Sequence, residues 1–151
     1  MVMIPDMPAV GRGFIESLTI PPISKTDWTF PEPANERRVA IVSSAGVSRR
    51  DDKPFSWLAR DFRVLNKNDR DLVMTHVAVD YDRIAWQLDL NSIIPVDRLE
   101  EMASDGEIGS VAEQHYTFMG ASDPVDMEKS AHEAAERMKE DSVNTVFLIP
   151  V

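Results

Sequence analysis

The apolar residues of this chain change their period along its length, and each period predicts a different element. In residues 37–44, Val39, Ala40, Ile41 and Val42 form a continuous apolar run that closes in Ser43, Ser44, Ala45 and Gly46. Such a run reads as a strand buried on both faces, and the small residues after it allow a sharp turn. Residues 71–79 (DLVMTHVAV) predict a second strand, whereas the weak alternation of 84–90 fixes no type. Between them lie a polar loop at 48–53 and an aperiodic stretch holding Pro54, Phe55, Trp57 and Leu58. From Val96 the spacing becomes helical, with Val96, Leu99, Met102 and Ala103 on one side, Asp97 and Glu100 near the start, and Gly106 placed for a left-handed cap. Ser110 predicts a further short helical turn, and residues 115–119 a strand ending at Gly120. Asp123 as N-cap and Pro124 in the first turn open a helix whose apolar positions are Met127, Ala131, Ala134 and Met138. Its other side, with Glu128, Lys129, His132, Glu133, Glu136, Arg137 and Lys139, is a solvated face. Residues 143–151 (VNTVFLIPV) predict a final buried strand.

Strand, helix, strand at the C-terminal end is a βαβ pattern, so the predicted class is α/β, a mainly parallel sheet with flanking helices of Rossmann- or flavodoxin-like type. Residues 37–151 form that domain. Residues 1–36, with Pro5, Pro8, Pro21, Pro22, Pro31 and Pro33, read as an extended arm. Phe14, Ile15, Leu18, Ile20, Ile23, Trp28 and Phe30 give the arm apolar side chains to lay on the domain or a partner. At 151 residues the chain is one domain's worth, and its net charge of −10 repels phosphate backbones, which argues against nucleic acid. No apolar run is long enough to span a bilayer, and the N-terminus lacks a signal-peptide pattern, so a cytoplasmic protein without a membrane contact is expected. The absence of cysteine removes disulfides, thiolate metal sites and a cysteine nucleophile from the chain.

The usual chemical fingerprints are missing. Gly11 and Gly13 follow no strand and lack a third glycine, and neither a GxxxxGK loop, HExxH nor Gly-x-Ser-x-Gly occurs. His76, with Asp80 and Asp82 after it, is a candidate base or metal ligand, with a backbone-bonded histidine as the competing reading. His115 sits at a strand end and is a second candidate, again against a structural reading. Asp89 and Asn91 flank Leu90 and could bind a ligand or only a loop backbone. Asp51, Asp52 and Lys53 leave the carboxyl end of a predicted parallel strand, where α/β sheets bind ligands, so Asp51 and Lys53 are candidates to face a substrate. No metal site is expected.

Ser43 to Val47 (SSAGV), residues 51–55 (DDKPF), His76 with Asp80, 88–99 (LDLNSIIPVDRL), 106–112 (GEIGSVA), 115–120 (HYTFMG) and 138–151 (MKEDSVNTVFLIPV) together resemble the selenoprotein B subunit of the glycine, sarcosine, betaine and D-proline reductases. The resemblance runs in order from Arg38 to Val151. It implies an oxidoreductase component that cleaves a carbon–nitrogen bond reductively, with a thiol/disulfide couple and an amino acid or betaine as substrate. It also implies other reductase subunits, one bearing a pyruvoyl group, and homo-oligomers. This chain is expected to bind no cofactor itself, with His76, Asp80 and His115 as supporting residues and Asp51, Lys53, Asp89 and Asn91 toward the substrate.

In that family the strand similar to residues 146–151 is followed at once by a selenocysteine, or a cysteine in some members. This sequence stops one position before it, so residues 37–151 read as the N-terminal part of a reductase B-type subunit, as if truncated after its C-terminal strand. A selenocysteine codon read as a stop would end the chain here, and such a fragment is expected to be inactive alone. The alternative is a noncatalytic α/β interaction or scaffold subunit whose edge strand binds another chain. Reading the nucleotide sequence past Val151 separates the two.

Overall fold

One central strand, β1 (Arg38–Ser43), carries neighbours on both edges and helices on both faces. The structure is a computed structural model describing residues 4–17, 29–78 and 84–151. On one edge of β1 lie β5 (Ser110–Val111) and β6 (Gln114–Phe118), and on the other β7 (Thr145–Ile149), all parallel to it. The ladder shows the division: the carbonyls of Arg37 and Val39 accept from Ser110 and Ala112, whereas the carbonyl of Arg38 accepts from Asn144. Beyond β6 lies β3 (Phe62–Asn66), antiparallel to it. A separate antiparallel ribbon pairs β2 (Val47–Arg49) with β4 (Leu72–Met74).

The alternation of side chains along a strand sorts β1 between two layers. Val39 and Ile41 pack with Leu65 and Val111 against Ile93, Ile94, Val96 and Leu99, which belong to helix α3 (Val96–Ser104) and the turn before it. Ala40 packs on the other side with Tyr116, Phe118, Ala134 and Met138, the last two from helix α4 (Glu128–Glu140). Full burial of side chains such as Ile41 and Leu99 is worth about 1.5–3 kcal/mol each, so these two seams hold the layers together. Gly106, at φ +75°, ends α3 as expected, with the Glu107 N–H bonded back to the Met102 carbonyl. The Asp123 carboxylate accepts from the Val125 N–H at 2.9 Å and caps a 3-10 turn that leads into α4. Arg38 and Asp141 pair at the amino edge, tying the start of β1 to the end of α4.

Several expectations need correction. The sheet is mixed, because the stretch expected to be a linker before Asp71 contains both β2 and β3, and β3 runs antiparallel. Polar Arg63 and Asn66 interrupt its apolar residues, which hid it. Among the described residues 71–78 only Leu72–Met74 forms a strand, and it joins the ribbon instead of the main sheet; residue 79 lies outside the described residues. Residues 84–90 contain a short helix, Ile84–Leu88, here α2, and the start of a 3-10 turn, Leu90–Ser92. Ser110 begins β5, not a helical turn, because its N–H is drawn to the Arg37 carbonyl. Ala131 is exposed, and Ala135 is half-buried. The final strand is not buried: β7 lies at the sheet margin, with Val146, Phe147 and Leu148 exposed by 42%, 46% and 67%. Within the proline-rich arm Pro8 precedes a helix, Ala9–Ser17, since no proline falls in that stretch to break it. By position in the chain this helix precedes those labelled α2 to α4 and is α1. The apolar residues Leu18, Ile20, Ile23 and Trp28 lie outside the described residues, as do Asp80 and Asp82.

Candidate active site at the carboxyl edge

Because β1, β6 and β7 run parallel, their carboxyl ends arrive at one edge of the sheet, the position where open α/β sheets place ligands. Two of these strands, β1 and β6, are followed by small residues that permit close approach. After β1, Ser44 donates its N–H to the Ile149 carbonyl and Gly46 donates to the Phe118 carbonyl, so one turn bonds to both neighbouring strands. Gly46 has φ +63°, and a Cβ on it would lie 3.0 Å from the Cα of His76. Gly120, at φ +79°, is held against Ser44, where a Cβ would lie 2.7 Å from the Ser44 carbonyl oxygen. The Thr75 N–H donates to the Gly46 carbonyl at 2.9 Å. Finally, the N–H of Val151 donates to Ser44 Oγ at 2.9 Å, seating the end of β7 in the same place.

The edge therefore gathers Ser44, Gly46, His76, Gly120 and Val151. His76 is 8% exposed, and its Nδ1 accepts from the Ala78 N–H at 3.1 Å, which leaves Nε2 as the nitrogen bearing the proton. The competing structural reading of this histidine is thus realised in part, although its place at the edge is the one a site residue would take. Ser44 and Gly120 were not singled out as site residues by the sequence. The signal was present, since small residues directly after two strands mark turns of close approach.

The other candidates are dispersed. Asp51 is exposed and borders an open surface depression with Arg49, Arg50, Asp69 and Asp71. Lys53 is exposed too, and its carbonyl accepts from the Arg63 guanidinium at 2.9 and 3.0 Å. Asp89 accepts from the Asn91 N–H at 2.9 Å, a turn-forming bond, and this N–H, then the Asn91 side-chain amide, hold its carboxyl below the usual range. Asn91 also bonds Asp97 in both directions, so the pair braces the start of α3. Among the described residues no group of three histidine, aspartate or glutamate side chains could hold a metal ion.

His115 lies in the sheet, not at the edge. Between β5 and β6 the ladder breaks, and the Ile41 N–H donates to His115 Nδ1 at 3.1 Å, the imidazole serving as the missing acceptor. The ring is fully buried, and burial, aided by Lys67, lowers its pKa to about 4 against the opposing pull of Asp141 and Glu113. It is neutral at pH 7, with the proton on Nε2.

With this geometry in place, comparison with known proteins decides the family. The model for glycine/sarcosine/betaine reductase selenoprotein B matches residues 11–150. The chain belongs to that family. A relative, D-proline reductase subunit gamma of Acetoanaerobium sticklandii, is 31% identical over 146 residues, covering 92% of this chain and 59% of its own length. No solved structure matches the chain significantly. The segments SSAGV and HYTFMG supply, in this fold, the turns that carry Ser44, Gly46 and Gly120 to the carboxyl edge.

Proposed function

We propose that this chain forms the N-terminal part of a reductase subunit, and that its carboxyl sheet edge positions a selenocysteine or cysteine following the Val151 position. The observation that carries the reading is the hydrogen bond from the Val151 N–H to Ser44 Oγ, which directs β7 to the turn built by Ser44, Gly46 and Gly120. A low-pKa selenolate or thiolate would supply the nucleophile for reductive cleavage of a carbon–nitrogen bond. Ser44 holds the approach, His76 packs against Gly46, and the absence of Cβ atoms at Gly46 and Gly120 brings backbone close enough to fix its direction. Family membership and the relative's being a named subunit support assembly with other reductase subunits. In this reading one of those partner subunits bears a pyruvoyl group.

The test compares the 151-residue chain with the same chain continued through a family-type cysteine motif. Each is assayed with dithiol reductant and partner subunits on glycine, sarcosine, betaine and D-proline. Activity is expected only in the continued chain, and equal activity in the two refutes the placement. A second reading rests on β7, whose apolar side chains are exposed at the sheet margin: the chain would be a noncatalytic subunit that pairs there with another polypeptide. A clean monomer in solution, unresponsive to partner subunits, counts against it.

A further inference from the structure

A cavity of about 30 Å³ lies between β6 and the turn that precedes α3. Leu65, Leu90 and Ile94 form apolar wall, and His115 is among the residues that line it. The ring is 0% exposed, its Nδ1 is committed to the Ile41 N–H, and its Nε2 has no hydrogen-bond partner among the described residues. Since Nδ1 accepts, Nε2 carries the proton and presents a buried donor. A buried N–H without an acceptor is costly, and native structures rarely leave one unpaired.

The polar residues around the cavity narrow what can accept that proton. Arg70 and Asn91 could suit a carboxylate, and Asp69 and Asp97 an ammonium, so the residue types alone would fit a small zwitterion. Volume decides against it. Sites for small organic ligands occupy hundreds of Å³, whereas a water needs about 10–15 Å³ of the same kind of space. A cation ligated at Nε2 is excluded because that nitrogen is protonated. We infer that the cavity is a site for buried water, one molecule of which accepts from His115 Nε2–H and donates to oxygen on the opposite wall. Asn91 Oδ1, which accepts the Asp97 N–H at 3.2 Å and keeps a second lone pair, is the oxygen the water would reach. The water then joins β6 to the turn that caps α3. This inference does not depend on the proposed reductase role.

The test uses the 151-residue protein labelled with ¹⁵N. The His115 ring is expected to show a pyrrole-type Nε2 with a slowly exchanging proton. That proton should give a dipolar cross-peak to water with the opposite NOE and ROE signs of a long-lived bound molecule. A high-resolution crystal structure should place one ordered oxygen within hydrogen-bond distance of Nε2. An imine-type Nε2, a cross-peak due only to chemical exchange, or a cavity without ordered density would each overturn the assignment.

Discussion

Acidification tests the buried imidazole of His115 directly. In the unfolded chain a histidine binds its proton near pH 6.5, but in the fold the ring does so only at about 4. Between these values the unfolded state holds more protons than the folded state, so folding stability falls as pH falls through the window; above 6.5 the penalty is absent. At about 1.4 kcal/mol per pH unit, the loss reaches roughly 3 kcal/mol near pH 4. Asp52, Asp89 and Asp141, whose carboxyls lie below their usual range, contribute stability that is lost only at lower pH, as they protonate. The comparison is wild type against His115→Gln, which offers an amide oxygen to the Ile41 N–H and does not titrate. Urea unfolding followed by circular dichroism from about pH 7 to about pH 4.5 gives the two stability curves. Over that range, at about 1.4 kcal/mol per unit, wild type should lose at least about 2 kcal/mol more stability than His115→Gln loses. Parallel curves, agreeing within about 0.5 kcal/mol, would refute the reasoning, because an imidazole that costs nothing to charge is neither dry nor committed at Nδ1.

Three further substitutions probe other parts of the fold. Gly120→Ala meets both a φ of +79° and the Ser44 carbonyl at 2.7 Å, whereas Gly106→Ala meets a φ of +75° with open space around it. Chemical denaturation should therefore show about 1 kcal/mol lost at Gly106 and distinctly more at Gly120, and equal losses would show that the close approach to Ser44 is unimportant. Asp141→Ala removes the carboxylate that pairs with Arg38 and accepts the Glu113 N–H, and should cost about 2 kcal/mol in the same measurement. Burial pushes that carboxyl up, and the Arg38 hydrogen bond, the Glu113 N–H and the Arg38 charge outweigh it. Leu148→Lys, at a side chain 67% exposed, should leave stability within about 0.5 kcal/mol of wild type; a larger loss would mean that β7 is covered in solution.

Local chemistry made much of the chain legible. Val39 to Val42 announced β1, the spacing of Val96 and Leu99 announced α3, and Asp123-Pro124 marked the start of the turn into α4, because each signal depends on neighbours within a few residues. β3 escaped notice because it is short and held by long-range pairing with β6, which no local period reveals. The Asp89 and Asn91 pair was open between ligand binding and turn formation until its hydrogen bonds to the start of α3 were visible.

The sequence by itself determined the α/β class, the Gly106 stop of α3 and the family, since these reside in residue types and their order. Only the tertiary structure decided how the pieces share space. It set β7 at the margin with its apolar residues exposed, and it brought Ser44, Gly46, His76, Gly120 and Val151 to one edge. It also placed His115 within the sheet, where its Nδ1 accepts the Ile41 N–H. The physical reason is the same in each case: strand order, burial and the break in the β1 ladder arise from contacts between residues far apart in the chain, and those contacts set what a side chain can do.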